Sequence, residues 1–182
     1  MNTNEGKKKF PRFLKYLVID IVIAAVVSFV LITYVASAYR IEGHSMQNTL
    51  YDHERIIVLK LGIKTSNIHR SDIIVLRKPI DPRKSIIKRV IGLPGETIEI
   101  KRGTVYIDGV KLEEPYIRKK PDVMLFYFSM KPVKLSPGYY FVMGDNRALS
   151  MDSRYFGPIP FEYIYGKMLF RYWPLSKLGK TR

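Results

Sequence analysis

Ser45 stands in the stretch GHSMQNTL, positions 43–50, a few residues after a long apolar run ends. A serine hydroxyl is a poor nucleophile until a base takes its proton during attack, so the chemistry turns on finding that base. The chain has three histidines, His44, His53 and His69. His44 adjoins the serine and in an extended strand would point to the opposite face. The other two lie in charged, loop-like surroundings, and a solvated surface role suits all three. The alternative is a lysine kept neutral by burial, because desolvation lowers an ammonium pKa. Lys88, in SIIKRVIGLPGE, follows Ile86 and Ile87 and precedes Val90, Ile91 and Leu93. On a strand it shares a face with Ile86, Val90 and Gly92, while Arg89 faces away. A solvated lysine on a half-exposed strand gives the same pattern, so spacing alone leaves both readings open.

Composition narrows the field. With no cysteine, disulfide scaffolds, thiolate zinc sites, iron–sulfur clusters and cysteine nucleophiles are excluded; neither a metal nor a cofactor is expected. The net charge of +15 points to a polyanionic partner, nucleic acid or anionic lipid. No nucleic-acid-binding signature accompanies it and the basic residues are scattered along strand-like segments, so the expected partner is membrane phospholipid and not nucleic acid.

The elements that must position these residues begin with a membrane span. Leu17 to Ala38 reads LVIDIVIAAVVSFVLITYVASA, with Asp20 its one ionisable residue, about the 20 residues a membrane-crossing helix needs. A cleaved signal peptide is the competing reading, and the ASA at 36–38 fits it; its apolar region would be shorter. Lys7, Lys8, Lys9, Arg12 and Lys15 precede the span and Arg40 alone closely follows, which places the N-terminus in the cytoplasm. The expected organisation is a basic cytoplasmic tail (1–16), a transmembrane helix (17–38) and an extracytoplasmic catalytic domain (39–182) of a single-pass cell-membrane protein.

Beyond Ser45 the chain breaks into short β-branched and aliphatic runs at 54–61, 71–78, 85–93, 96–102, 104–112, 138–144 and 167–173, most bounded by turn residues. Asp108-Gly109 is a hairpin-turn signal. The expected fold is all-β, antiparallel sheets in a partly barrel-like arrangement after one transmembrane helix. Residues 113–137 read as a looser excursion, whose cluster Met124, Leu125, Phe126, Tyr127 and Phe128 suits either a core strand or a membrane-dipping surface.

GHSMQNTL, KRVIGLPGE and GDNRALSMDSRYFGPI, in this order after one N-terminal span, make the chain resemble bacterial type I signal peptidases, membrane serine proteases of the Ser/Lys type, in their short Gram-positive form. The resemblance implies that Ser45 attacks the scissile carbonyl to form an acyl-enzyme, with Lys88 as general base. It implies that Ser150 orients the lysine amine and that Asp145, Asp152 and Arg154 brace the site, Asp152 and Arg154 sharing one face if the segment is a strand. The Ser45 N–H would serve the oxyanion hole; Gly43, where some relatives carry a serine, offers no side-chain donor. The implied substrates are preproteins with small residues at the first and third positions before the cut. Tyr39, Ile41, Met46, Leu50, Ile86 and Ile87 would line the shallow subsites, or serve as ordinary core. Asn48, Ser71 and Glu96 depart from the usual proline, glycine and aspartate without removing a proposed catalytic group. The alternative is a catalytically silent or specialised homologue acting as a membrane-anchored basic binding module. Nothing in the sequence fixes an oligomeric state.

Overall fold

The computed structural model describes residues 12–117 and 128–179. They divide into two compact units, one ending at Val35 and the other starting at Ala36. In the first, helix α1 (Arg12–Val30) continues into a wider helical turn over Leu31–Val35. Phe13–Val35 is 23 residues long, about 34 Å at helical rise, enough to cross a bilayer core of about 30 Å once. Phe13, Ile21, Val26 and Phe29 are all exposed, as on a helix whose solvent is lipid.

The second unit is built on strands β1 (Ala36–Arg40), β2 (Arg55–Leu59), β3 (Ile73–Lys78), β4 (Asp81–Gly92), β5 (Thr97–Lys101), β6 (Thr104–Ile107), β7 (Val110–Lys111), β8 (Met130–Lys134), β9 (Tyr139–Met143), β10 (Ile159–Pro160) and β11 (Ile164–Trp173), with a short helix α2 (Ser153–Phe156) before β10. They form a seven-stranded sheet in the order β1-β2-β11-β3-β4-β9-β10 and a four-stranded sheet in the order β7-β6-β5-β8, all neighbours antiparallel.

Side-chain alternation sorts these strands into three cores. Ile73 and Val75 of β3 face a core with Ile41, Met46, Leu50, Ile56 and Val58. Ile74 and Leu76 face a second with Ile68, Val90, Tyr140, Val142 and Ile159. A central strand buried on both faces is a continuous apolar run, which is why β3 reads IIVL. The next residues of β4 and β9 in turn, Ile91, Phe141 and Met143, carry the third core with Ile98, Ile100, Val105, Ile107 and Leu135. One long strand pair thereby serves both sheets. The β6–β7 turn has Asp108 and Gly109 at φ +48° and +82°, the left-handed pair that a two-residue hairpin requires.

Two features of the expected fold are corrected. The chain is mixed α and β, with a 19-residue helix in addition to the sheets, and the sheets are open, not partly barrel-like. Their ends, β1 and β10, β7 and β8, each have one neighbour. Closure depends on which strand edges pair, and alternation reports only faces. Residues 81–88 of β4 also leave one edge unpaired among the described residues, because β9 pairs only with Arg89, Val90 and Gly92. The excursion at 113–137 contains β8, which reading by composition missed. Of its apolar cluster, Met124 to Tyr127 lie outside the described residues, and Phe128 packs on the third core.

Candidate active site

Ser45 lies in the loop between β1 and β2. The loop is pinched shut where Ile41 N–H donates to Glu54 O (2.8 Å) and His53 N–H to Ile41 O (2.9 Å). Gly43 has φ +87° and its N–H donates to Asp52 Oδ1 at 3.0 Å. A tight turn follows, with Thr49 and Leu50 N–H both donating to Met46 O, and Met46 and Leu50 are plugged into the first core. The apolar residues flanking the serine thus anchor the turn.

Lys88 comes from β4. Its Nζ lies 2.8 Å from Ser45 Oγ and 3.1 Å from Ile87 O, and the residue is 3% exposed. Burial pushes its ammonium down to about 8; the carboxylates of Asp152 and Asp145 oppose the shift, and Arg154 and Lys78 add to it. A hydroxyl beside an amine that loses its proton this readily is the arrangement that a nucleophile and its base require. The histidines lie elsewhere: His44 bonds Gln47, while His53 and His69 sit beside Asp52 and Asp72 with side chains 67% and 71% exposed.

Arg89, facing away from Lys88, forms a buried two-pronged pair with Asp145, Nε to Oδ1 at 2.8 Å and Nη2 to Oδ2 at 2.6 Å. Thr49 Oγ1 donates to the same carboxylate and accepts from Arg89 at 3.2 Å, tying the serine turn to β4 and to the end of β9. Arg154 grips Asp152 in the same manner, at 2.8 and 2.9 Å. The segment is not a strand: Asp152 is the N-cap of α2, accepting from Arg154 N–H, and its second oxygen accepts Gly144 N–H at 2.9 Å. A cap residue facing back along its helix produces the i,i+2 pairing that a strand reading had suggested.

Ser150 Oγ is buried without a hydrogen-bond partner among the described residues; the Lys88 bonds go to Ser45 and Ile87 instead. Gly144 lies against Ser150 and Ser45 O so closely that a Cβ there would overlap both. Thr49, Arg89 and Gly144 also meet the candidate residues, in contacts that sequence reasoning missed. Gly144 and Arg89 do adjoin residues that the sequence put forward, Asp145 and Lys88.

A groove of about 130 Å³ opens onto Ser45 and Lys88, lined by Tyr39, Ile41, Met46, Ile86 and Ile87, with Arg40, Glu42, Gly43, Val75 and Ser85 completing it. Leu50 does not line it and lies fully buried in the first core.

A family model described as signal peptidase, peptidase S26, matches residues 14–173. The chain is 36% identical to signal peptidase IB of Staphylococcus aureus over 173 residues, 88% of this chain and 90% of that one. It is 39% identical to signal peptidase I of Bacillus caldolyticus over 155 residues, 80% and 84% of the two chains. The crystal structure of a signal peptidase I from Enterococcus faecalis superimposes with a TM-score of 0.51 at 35% identity, covering 58% of this chain and 98% of that one.

Proposed function

The chain belongs to the signal peptidase family, peptidase S26, and from that premise we propose that it removes N-terminal signal peptides from exported preproteins by a Ser45/Lys88 mechanism. The observation that carries this reading is the 2.8 Å approach of a desolvated Lys88 amine to Ser45 Oγ. Neutral Lys88 takes the hydroxyl proton as Oγ attacks the scissile carbonyl. The tetrahedral intermediate collapses, Lys88 returns the proton to the departing amine of the mature protein, and the signal peptide stays esterified to Ser45. Lys88 then deprotonates a water that attacks the ester; the signal peptide leaves with a free carboxylate and Ser45 regains its proton.

The Ser45 N–H is the backbone donor proposed for the oxyanion. The Gly43 N–H is engaged by Asp52, so it is not the second one. Once Oγ is acylated the Lys88 amine needs a new partner, and the unpartnered Ser150 hydroxyl is the group proposed to aim it. Asp145, Asp152 and Arg154 hold the loop that carries Ser150 and Gly144. Ile41, Met46, Ile86 and Ile87 with Tyr39 form shallow walls suited to small side chains, which supports cleavage after small-x-small sequences. The basic residues before the apolar helix support a cytoplasmic N-terminus with the second unit outside, against anionic lipid.

Purified in detergent and incubated with a preprotein bearing a small-x-small site, the protein is expected to release the mature chain, and Ser45→Ala and Lys88→Ala to lose this activity. Absence of cleavage by the unaltered protein favours the silent-homologue reading. Equal cleavage by either variant rules out the dyad.

A further inference from the structure

The four-stranded sheet makes none of the bonds to Ser45 or Lys88 described above, yet the segment leaving it turns back toward them. Leu112 N–H still donates to Val105 O at 2.9 Å, and Ile117 N–H closes a turn onto Glu114 O at 3.2 Å. Between these bonds the segment presents one side chain to Arg89 of β4 and another to Arg147, beyond β9. The Tyr116 ring lies under the Arg89 guanidinium, 4.0 Å from ring centroid to carbon, and its hydroxyl donates to Glu114 Oε1 at 2.9 Å. Glu114 in turn accepts from both terminal nitrogens of Arg147, whose Nε donates to Gly144 O at 3.2 Å.

From this geometry we infer that Glu114 and Tyr116 are positioning residues for the reaction, so that the small sheet supplies part of the catalytic frame. The inference rests on the Ser45/Lys88 reading. Two routes run inward from this one segment. Tyr116 covers the face of Arg89, the residue next to Lys88, whose edge grips Asp145. Glu114 holds Arg147, which holds Gly144, the residue against Ser45 O and the Ser150 hydroxyl. Arg89 and Asp145 are 2% and 1% exposed, and a guanidinium this dry must replace its hydration on every side: the carboxylate does so at the edge and the π face beneath. Without the ring, water reaches the guanidinium and the pair loosens, and Asp145 adjoins Gly144 in the chain. Displacements of well under an ångström at the nucleophile and base then appear in the chemical step and not in substrate binding.

The test uses the full chain in detergent, with kcat and KM measured separately on a small-x-small peptide and thermal melts run alongside. Tyr116→Leu keeps bulk without a π face; it is expected to lower kcat about tenfold, the size of one desolvated cation–π contact, with KM changed less than about twofold and a cooperative melt above the assay temperature. Tyr116→Phe, which keeps the face, is expected to stay within about threefold of the unaltered kcat. Unchanged kcat in a folded Tyr116→Leu protein or a loss confined to KM would overturn the inference, and a Phe variant as impaired as the Leu variant would overturn the role given to the ring face. If Tyr116→Leu does not melt cooperatively, Glu114→Gln is judged by the same division between kcat and KM. These outcomes leave the dyad reading intact, since that reading stands or falls with Ser45→Ala and Lys88→Ala.

Discussion

On the proposed mechanism, catalysis and stability make opposite demands on Lys88. Its pKa falls from 10.5 to about 8 on folding, so between those values the unfolded chain binds more protons and stability rises with pH. Below about 8 the whole penalty is present, on the order of 3 kcal/mol. Lys88→Met is therefore expected to be inactive yet more stable at pH 7 by up to about 3 kcal/mol, the difference vanishing above the unfolded value; melts of both proteins across this range check it. The proposed mechanism needs the neutral amine, so kcat/KM should rise with pH through a midpoint of about 8. A midpoint near 10.5, the ordinary lysine value, would contradict a desolvated base. That Ser45 and Lys88 belong together was legible in the sequence only through the motifs they lie in, since spacing alone left a solvated lysine open; their side chains do meet, at 2.8 Å. Thr49 and Tyr116 were not legible, because what matters about them is a contact: Thr49 meets a carboxylate 96 positions away, and neither residue type announces such a partner.

At the scale of elements, strands were readable from alternation, while the edges they share were not. Alternation assigned Lys88 and Arg89 to opposite faces, and their separate partners follow from that. The same rule could not say that the sheets stay open, nor that Asp152 and Arg154 belong to a helix cap, since a four-residue helix has no period to detect. The exit of β9 shows how tightly elements meet here. Gly144 has no room for a Cβ between Ser150 and the Ser45 carbonyl, so Gly144→Ala must displace one of them. A shift of about 1 Å at a reacting centre costs roughly 100-fold; the variant is expected to lose about that much kcat while its melting temperature falls by only a few degrees. Full activity in Gly144→Ala would mean that the loop gives way elsewhere.

For the whole molecule, the division after Val35 leaves the three cores and the site residues within the second unit. Removing residues 1–35 is expected to leave a protein that melts cooperatively and cleaves a short small-x-small peptide. On a preprotein in vesicles its rate should drop by at least about 100-fold, because tethering raises effective concentration. Equal loss on both substrates would show that the helix contributes to the site itself. The unpaired edge of β4 at 81–88 carries a consequence for what the enzyme ignores. A strand edge bonds only an extended backbone, so on the proposed function a polypeptide entering the groove beside it would be screened for conformation before its side chains are read. The same small-x-small triplet held in a helix or in the interior of a folded domain offers no free amides or carbonyls to that edge. On that reading, a mature protein carrying such triplets would be shielded by its own folding.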